Sequence, residues 1–162
     1  MNPGSPRLNS YKKLAQHTAD KNGMYRILDA NVNRAKEGLR VCEEVCRFML
    51  NSRVLTQKFK TCRHRIERLV KKFRHDPRLL ASRDSANDVG LSVYSKSEFS
   101  RCTFRDVFSA NIQRVKESVR VLEEFSKLDD VRVAFGLRDL RYEIYALEKE
   151  VVKRFKTLGH HN

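Results

Sequence analysis

From Leu28 the apolar residues Leu28, Val32, Ala35, Leu39, Cys42, Cys46 and Met49 recur at steps of four and three, the spacing of one helical stripe. A second stripe runs beside it: Ile27, Asn31, Arg34, Gly38, Val41, Val45 and Phe48, broken only by Asn31 and Arg34 near its start. The same pair of stripes returns later. Phe108, Ile112, Val115, Val119 and Leu122 form the first, and Val107, Asn111, Arg114, Ser118, Val121, Phe125 and Leu128 the second. Each of these helices is followed by another. Leu55, Phe59, Cys62, Ile66, Leu69, Val70 and Phe73 mark one over 54–75, and Val133, Leu137, Leu140, Ile144, Leu147, Val151, Val152 and Phe155 mark one over 131–157. The pattern predicts an all-α protein in which a helical hairpin is duplicated and the two hairpins form a four-helix bundle.

The duplication is visible residue by residue. Between 30–44 and 110–124 nine of fifteen positions are identical, and seven of the nine are polar: Asn31/Asn111, Arg34/Arg114, Lys36/Lys116, Glu37/Glu117, Arg40/Arg120, Glu43/Glu123 and Glu44/Glu124. A core repeat is expected to keep its apolar residues first, so retained charges point to a task for them. The second helices carry a fainter match, with Arg63 against Arg141 and Ile66 against Ile144. Gly38 and Ser118 follow the Arg by one turn. Glycine costs about 1 kcal/mol relative to alanine inside a helix, so a small residue there implies room for a ligand or for a close helix neighbour.

The expected layout is a flexible leader over 1–20 and one helical domain over 21–158. That domain holds repeat one at 24–75, a long central loop at 76–105 and repeat two at 106–157. The loop carries Arg83-Asp84-Ser85-Ala86-Asn87-Asp88-Val89-Gly90 and then a Ser-rich tract. Its turn chemistry predicts a left-handed glycine at Gly90 and a segment that caps one end of the bundle.

Charge adds a partner class. Lys and Arg number 34 against 20 acidic residues, a net charge of +14 over 162 residues. That predicts an anionic partner, with RNA, a membrane surface and phosphorylated metabolites as the classes that qualify. No run of apolar residues is long enough to span a bilayer, and the N-terminus lacks the apolar core of a signal peptide, so a cytoplasmic protein is expected. The four cysteines show no C-x-x-C pair, and they read as buried small hydrophobes rather than a zinc site or a disulfide framework.

On a helix Asn31, Arg34 and Glu37 share a ridge that Arg40 and Glu44 continue, and Asn111, Arg114, Glu117, Arg120 and Glu124 form its twin. Because Asn31 and Arg34 fall on an inward stripe, a buried arginine paired with Glu37 or Glu117 is expected. The side chains could brace the bundle. Alternatively, the arginines clamp phosphate while Asn and Glu read a base or hold magnesium. Two copies favour the second reading. Arg63 and Arg141 are candidate anion contacts, and His64 is either a proton-transfer group or a surface residue. No P-loop, dinucleotide fingerprint, H-E-x-x-H or nucleophile elbow occurs.

The stretch from Tyr25 to Glu44, with Cys62-Arg63-His64, Arg83, Asp88-Val89-Gly90 and the second Ala110-Asn111 to Glu124 segment, resembles a known helical family. That family's domain is found alone, or fused ahead of thiamin phosphate synthase, in bacterial thiamin biosynthesis. The resemblance covers roughly residues 25–128. It implies a monofunctional hydroxymethylpyrimidine phosphate kinase that uses ATP and magnesium on a small phosphorylated pyrimidine. Phosphoryl transfer onto an ionised phosphate needs positioning and charge neutralisation more than a base. On this expectation Arg34, Arg114 and Arg63 bind phosphates, with Arg40, Arg120, His64 and Arg83 supporting. Glu37, Glu117 and Asp88 hold magnesium, and Asn31 or Asn111 reads the pyrimidine amine. Three rivals are a basic helical nucleic-acid binder, an enzyme acting on a small anionic carboxylate, and a non-catalytic partner of thiamin phosphate synthase. Apolar stripes on long helices also allow a homodimer.

Overall fold

The computed structural model describes residues 6–74, 76–90 and 101–159, with side chains for 21–73, 76–90 and 101–157. No strand occurs among them. Helix α1 runs Pro6–Glu44 and passes into a π-helical turn at Val45–Met49. Helices α2 (Arg53–Leu69), α3 (Lys71–Arg74), α4 (Pro77–Ala81), α5 (Phe104–Ser126) and α6 (Val131–Gly159) follow. Helix α1 packs most extensively on α5, α5 on α6, α6 on α2 and α2 on α1, so four long helices close into a ring. Among the described residues no helix is long and apolar enough to cross a membrane.

The stripes read from the sequence are the core. Leu28, Val32, Ala35, Leu39, Cys42 and Cys46 are buried from α1, and Phe108, Ile112, Val115, Val119 and Leu122 from α5. Phe59, Cys62 and Ile66 come from α2, and Leu137, Leu140 and Ile144 from α6. Phe59 and Phe108 meet edge to face with ring centroids 6.0 Å apart, and Phe108 meets Phe155 at 5.7 Å. Cys42, Cys46 and Cys62 are buried free thiols; burial pushes Cys46 and Cys62 up to about 12, so these thiols stay protonated.

One end of the stripe departs from the expected pattern. Phe48 and Met49 were expected inward, yet they are 62% and 54% exposed, and Leu50 is buried instead. The π-turn supplies the reason. It takes up one extra residue, with Leu50 N–H donating to Val45 O at 3.1 Å, and so moves the inward position along by one. Asn51 then turns the chain with φ of 45° and leads into Ser52, whose hydroxyl accepts from Leu55 N–H to cap α2.

Side-chain caps also set the starts of other helices. Asp76 precedes Pro77 at α4 and accepts from Arg78 N–H. Thr103 and Asp106 form a reciprocal capping box on α5, and Asp130 Oδ1 accepts from Arg132 N–H at the start of α6. Two expectations need correction. The segment set apart as a leader is helical from Pro6 and continuous with α1. Gly90 has no positive φ; its N–H is held by Asp88 Oδ1 at 2.9 Å. Residues 1–5 and the Ser-rich 91–100 lie outside the described residues.

Gly38 has a steric reason. A Cβ there would lie 2.6 Å from Val115 Cγ2 and 3.0 Å from the Asn111 carbonyl oxygen. With Cys42 Sγ against Phe108 O, this makes α1 and α5 antiparallel at close approach. Of the two uses open to a small residue, the helix neighbour is the one realised. Gly38→Ala gains about 1 kcal/mol of helix propensity, but overpacking against a backbone carbonyl costs about 1–3 kcal/mol. Net destabilisation is expected, growing in Gly38→Val, as a lowered urea midpoint. A raised midpoint for the alanine variant would refute the steric account.

The capping carboxylates predict an acid limb. Thr103 hydrogen bonds lower the Asp106 pKa, and Arg132 lowers that of Asp130. A carboxylate depressed in the native state adds stability above its unfolded value of about 3.9 and loses it as pH falls through the native value. Thermal midpoints should therefore fall on acidification below about pH 4, and Asp106→Asn should lower the midpoint at pH 7 and reduce that acid-side fall.

Candidate functional site

Most of the repeated charges serve the bundle. Glu43 and Glu123 are buried, 5% and 4% exposed. Glu43 accepts from Arg40 Nη1 at 3.1 Å and from Arg63 Nε, on α2, at 3.2 Å. Glu123 accepts from Arg120 Nη1 and from Arg141 Nε, on α6, each at 2.9 Å. Arg40 and Arg120 also pair with Glu44 at 2.9 Å and Glu124 at 2.7 Å. The two clamps occupy equivalent places in the two hairpins, which explains why Arg63 and Arg141 match across the repeat. Lys36 likewise binds Glu67 at 2.6 Å, and Lys116 binds Glu148 at 2.8 Å. A buried carboxylate flanked by two guanidinium groups is compensated as low-dielectric surroundings require.

Several expected site residues are therefore engaged within the bundle. Arg40, Arg120 and Arg63 hold carboxylates of this chain. The basic face of α2 is in part an inter-helix seam, since Lys58 binds Glu150 and Arg65 binds Glu143 on α6. Arg34 and Arg114 are exposed rather than buried, as long stems let their heads reach water from an inward-tending stripe. Glu37 and Glu117 are exposed too, and Glu117 accepts from Gln113 at 2.8 Å. Asn31 and Asn111 each donate to the carbonyl four residues back, Ile27 and Val107, at 2.8 Å. His64 is half exposed, with Nδ1 3.4 Å from Glu67 Oε2.

A cleft lies beside the first copy. It measures about 570 Å³ and lies between α1 and the segment after α4. Helix α1 contributes Arg26, Asp29, Asn31 and Arg34, and the segment contributes Arg83, Asp84 and Asp88. Three contacts attach α4 and the segment after it to α1. Tyr25 donates its hydroxyl to Asp76 Oδ2 at 3.1 Å, Arg26 Nη2 reaches the Asp84 carbonyl at 3.4 Å, and Arg83 binds Asp29 through Nε and Nη2 at 2.8 Å each. Arg78 holds the Asp76 carboxyl below the usual carboxylate range, while burial and Asp76 push the Tyr25 hydroxyl up. Arg34 makes no hydrogen bond or ion pair to any described residue. Among the described residues the Asp88 carboxylate accepts from the Gly90 amide, and Asp84 accepts from Asn87 at 2.9 Å.

Of the residues expected from the sequence, Asn31, Arg34, Arg83 and Asp88 thus come together. Glu37, Arg40, Arg63, His64, Asn111, Arg114, Glu117 and Arg120 do not line the cleft. The expected metal set of Glu37, Glu117 and Asp88 does not assemble there, and no group of three metal-ligating side chains occurs among the described residues. Sequence reasoning missed Arg26, Asp29 and Asp84. Arg26 and Asp29 are one turn apart and precede Asn33, whose amide reaches Asp29 Oδ1 at 3.4 Å. That polar spacing was a signal, but it has no counterpart in the second copy.

The ThiD2 family pattern matches residues 26–150, from the cleft arginine on α1 through most of α6. The chain belongs to the ThiD2 family. Its relatives include thiamine-phosphate synthases of Nostoc punctiforme, 41% identical over 80% of this chain, and of Synechocystis, 45% identical over 76%. Another, from Rhodopirellula baltica, is 40% identical over 82%. The chain spans 34–35% of the length of these relatives. No solved structure matches it.

The clamps predict a stability effect that the cleft arginine does not share. Removing the Glu123 carboxylate leaves Arg141, 12% exposed, without its charge partner. Glu123→Gln should cost about 3 kcal/mol, and pairing Glu123→Leu with Arg141→Met should recover most of it. Arg34→Ala, at an exposed position, should stay within about 0.5 kcal/mol. Denaturant titration of the three variants measures all of this, and equal losses for Glu123→Gln and Arg34→Ala would overturn the assignment.

Proposed function

We propose that the chain acts in thiamin biosynthesis as a hydroxymethylpyrimidine phosphate kinase, moving the γ-phosphoryl group of ATP onto the acceptor phosphate in the cleft on α1. Membership of the ThiD2 family and the thiamine-phosphate synthase relatives support the pathway. The observation that carries the reaction is Arg34, which pairs with no described residue, lining one cleft with Arg26 and with the segment that bears Asp84 and Asp88. Donor and acceptor are both polyanions, and two guanidinium groups on one helix face suit their phosphates.

In this reading an oxygen of the acceptor phosphate bonds to the γ-phosphorus as the bond to ADP breaks. The acceptor oxygen is already ionised, so no side chain has to take a proton. Arg34 and Arg26 bind and orient the phosphates and neutralise their charge. Asp84 and Asp88 fit magnesium, which is commonly held by one or two carboxylates together with substrate phosphates and water. When bound, magnesium supplies charge neutralisation to the phosphate chain. Asn31 lines the cleft with its amide N–H₂ engaged by Ile27 O, which leaves its carbonyl oxygen as the acceptor for a pyrimidine amine.

The test is ADP release with magnesium-ATP and hydroxymethylpyrimidine phosphate, beside the free alcohol as control. Turnover on the phosphate alone is expected, and turnover on neither removes the kinase reading. Arg34→Ala should lower kcat/KM about 10²-fold or more, whereas Arg114→Ala, outside the cleft, should change it by less than about threefold. Because the matched relatives are thiamine-phosphate synthases nearly three times the matched length, a second reading makes the chain a non-catalytic partner of such an enzyme. Stimulation of a separately supplied synthase without ADP release would select it.

A further inference from the structure

The cleft exists because a segment distant in sequence is held against α1, and the strength of that hold lies at one place. Asp29, largely buried on α1, and Arg83, 54 positions later, form two parallel hydrogen bonds at 2.8 Å through Nε and Nη2. Planar, bidentate pairing of this kind fixes orientation as well as distance. The neighbouring attachments are weaker in kind: a single long bond from Arg26 to a carbonyl, and a hydroxyl to Asp76 at the start of α4. Beyond Arg83 the segment bears Asp84 and Asp88 and is exposed from residue 83 to residue 90. It has little apolar burial of its own to hold it in place, so the ion pair determines where these carboxylates stand.

The geometry points to the Asp29–Arg83 pair as a pin that holds residues 82–90 as one wall of the cleft, with Arg83 a positioning residue whose charge is committed to Asp29 rather than to a ligand phosphate. This deepens the kinase reading and, for its ligand, rests on it. It also removes Arg83 from the substrate-binding set to which the sequence assigned it. Two roles for Arg83 then predict opposite effects at its partner. If Arg83 itself gripped phosphate, Asp29→Asn would release the guanidinium and tighten ligand binding. If Arg83 is a pin, Asp29→Asn loosens the wall and weakens binding as much as Arg83→Gln does.

The experiment is hydrogen exchange on the full chain for wild type, Asp29→Asn, Arg83→Gln and the double variant, followed by turnover with magnesium-ATP and hydroxymethylpyrimidine phosphate. Exchange over 82–90 should rise about tenfold in each single variant and no further in the double, with residues 104–126 unchanged. KM should rise alike in both single variants, with partial recovery in Arg83→Lys. Unchanged exchange over 82–90, or a lower KM in Asp29→Asn, overturns the pin. Arg83 is exposed, so Arg83→Gln decides the exchange result even if Asp29→Asn fails to fold. A wild type without turnover removes the kinase reading alone, since the exchange result still judges the pin.

Discussion

The close antiparallel contact of α1 with α5 is the constraint on which the rest of the molecule depends. It is where the two copies of the duplicated unit meet, and it needs a position without a side chain. Gly38 lies against Val115 and the Asn111 carbonyl, and Ser118, buried in the second copy, is the corresponding small residue. Once these helices touch at this depth their register is settled, because a shift along the axis would drive a larger side chain into backbone. The second helix of each hairpin then closes the ring by burying Phe59, Cys62 and Ile66, or Leu137, Leu140 and Ile144.

Electrostatics follows that packing. A hairpin needs a reason to close at one angle, and the clamp of Arg40, Glu43 and Arg63, with its twin of Arg120, Glu123 and Arg141, supplies one. Each carboxylate is buried and so is costly unless both guanidinium groups reach it. That dependence accounts for the retention of Arg40 and Glu43 as Arg120 and Glu123 across the duplication, and no ligand is required for it. Some of the chain's cations are in the same way engaged internally, with Lys36, Lys58, Arg65 and Lys116 paired across helix seams.

The cleft arises where the symmetry fails. The segment after α4 lies against the first turns of the duplicated stretch of α1, meeting Arg26 and Asp29. The second copy has the Asn and Arg but no such wall among the described residues, so duplicated residues acquire different surroundings. Arg34 faces a ligand-sized space beside Arg26, while Arg114 lies outside it.

The periodicity by itself determined the helices, the duplication and nearly all of the core, because the 3.6-residue repeat of a helix writes its buried face directly into the chain. Asn31 and Arg34, polar within that pattern, and Arg83 and Asp88, marked by the family resemblance, were legible as candidates, and they meet at one cleft. Tertiary structure decided the rest. Glu37 and Glu43 are both repeated glutamates one helix turn or so from an arginine, and nothing local separates the exposed one from the buried one; the position of α2 does. The π-turn that exposes Phe48 and Met49 and buries Leu50 is a one-residue change of phase that composition does not reveal. The meeting of Asp29 with Arg83 joins residues 54 apart. Helical periodicity reports which face a residue occupies, whereas the partner across that face is settled only when the helices and their connecting segment pack.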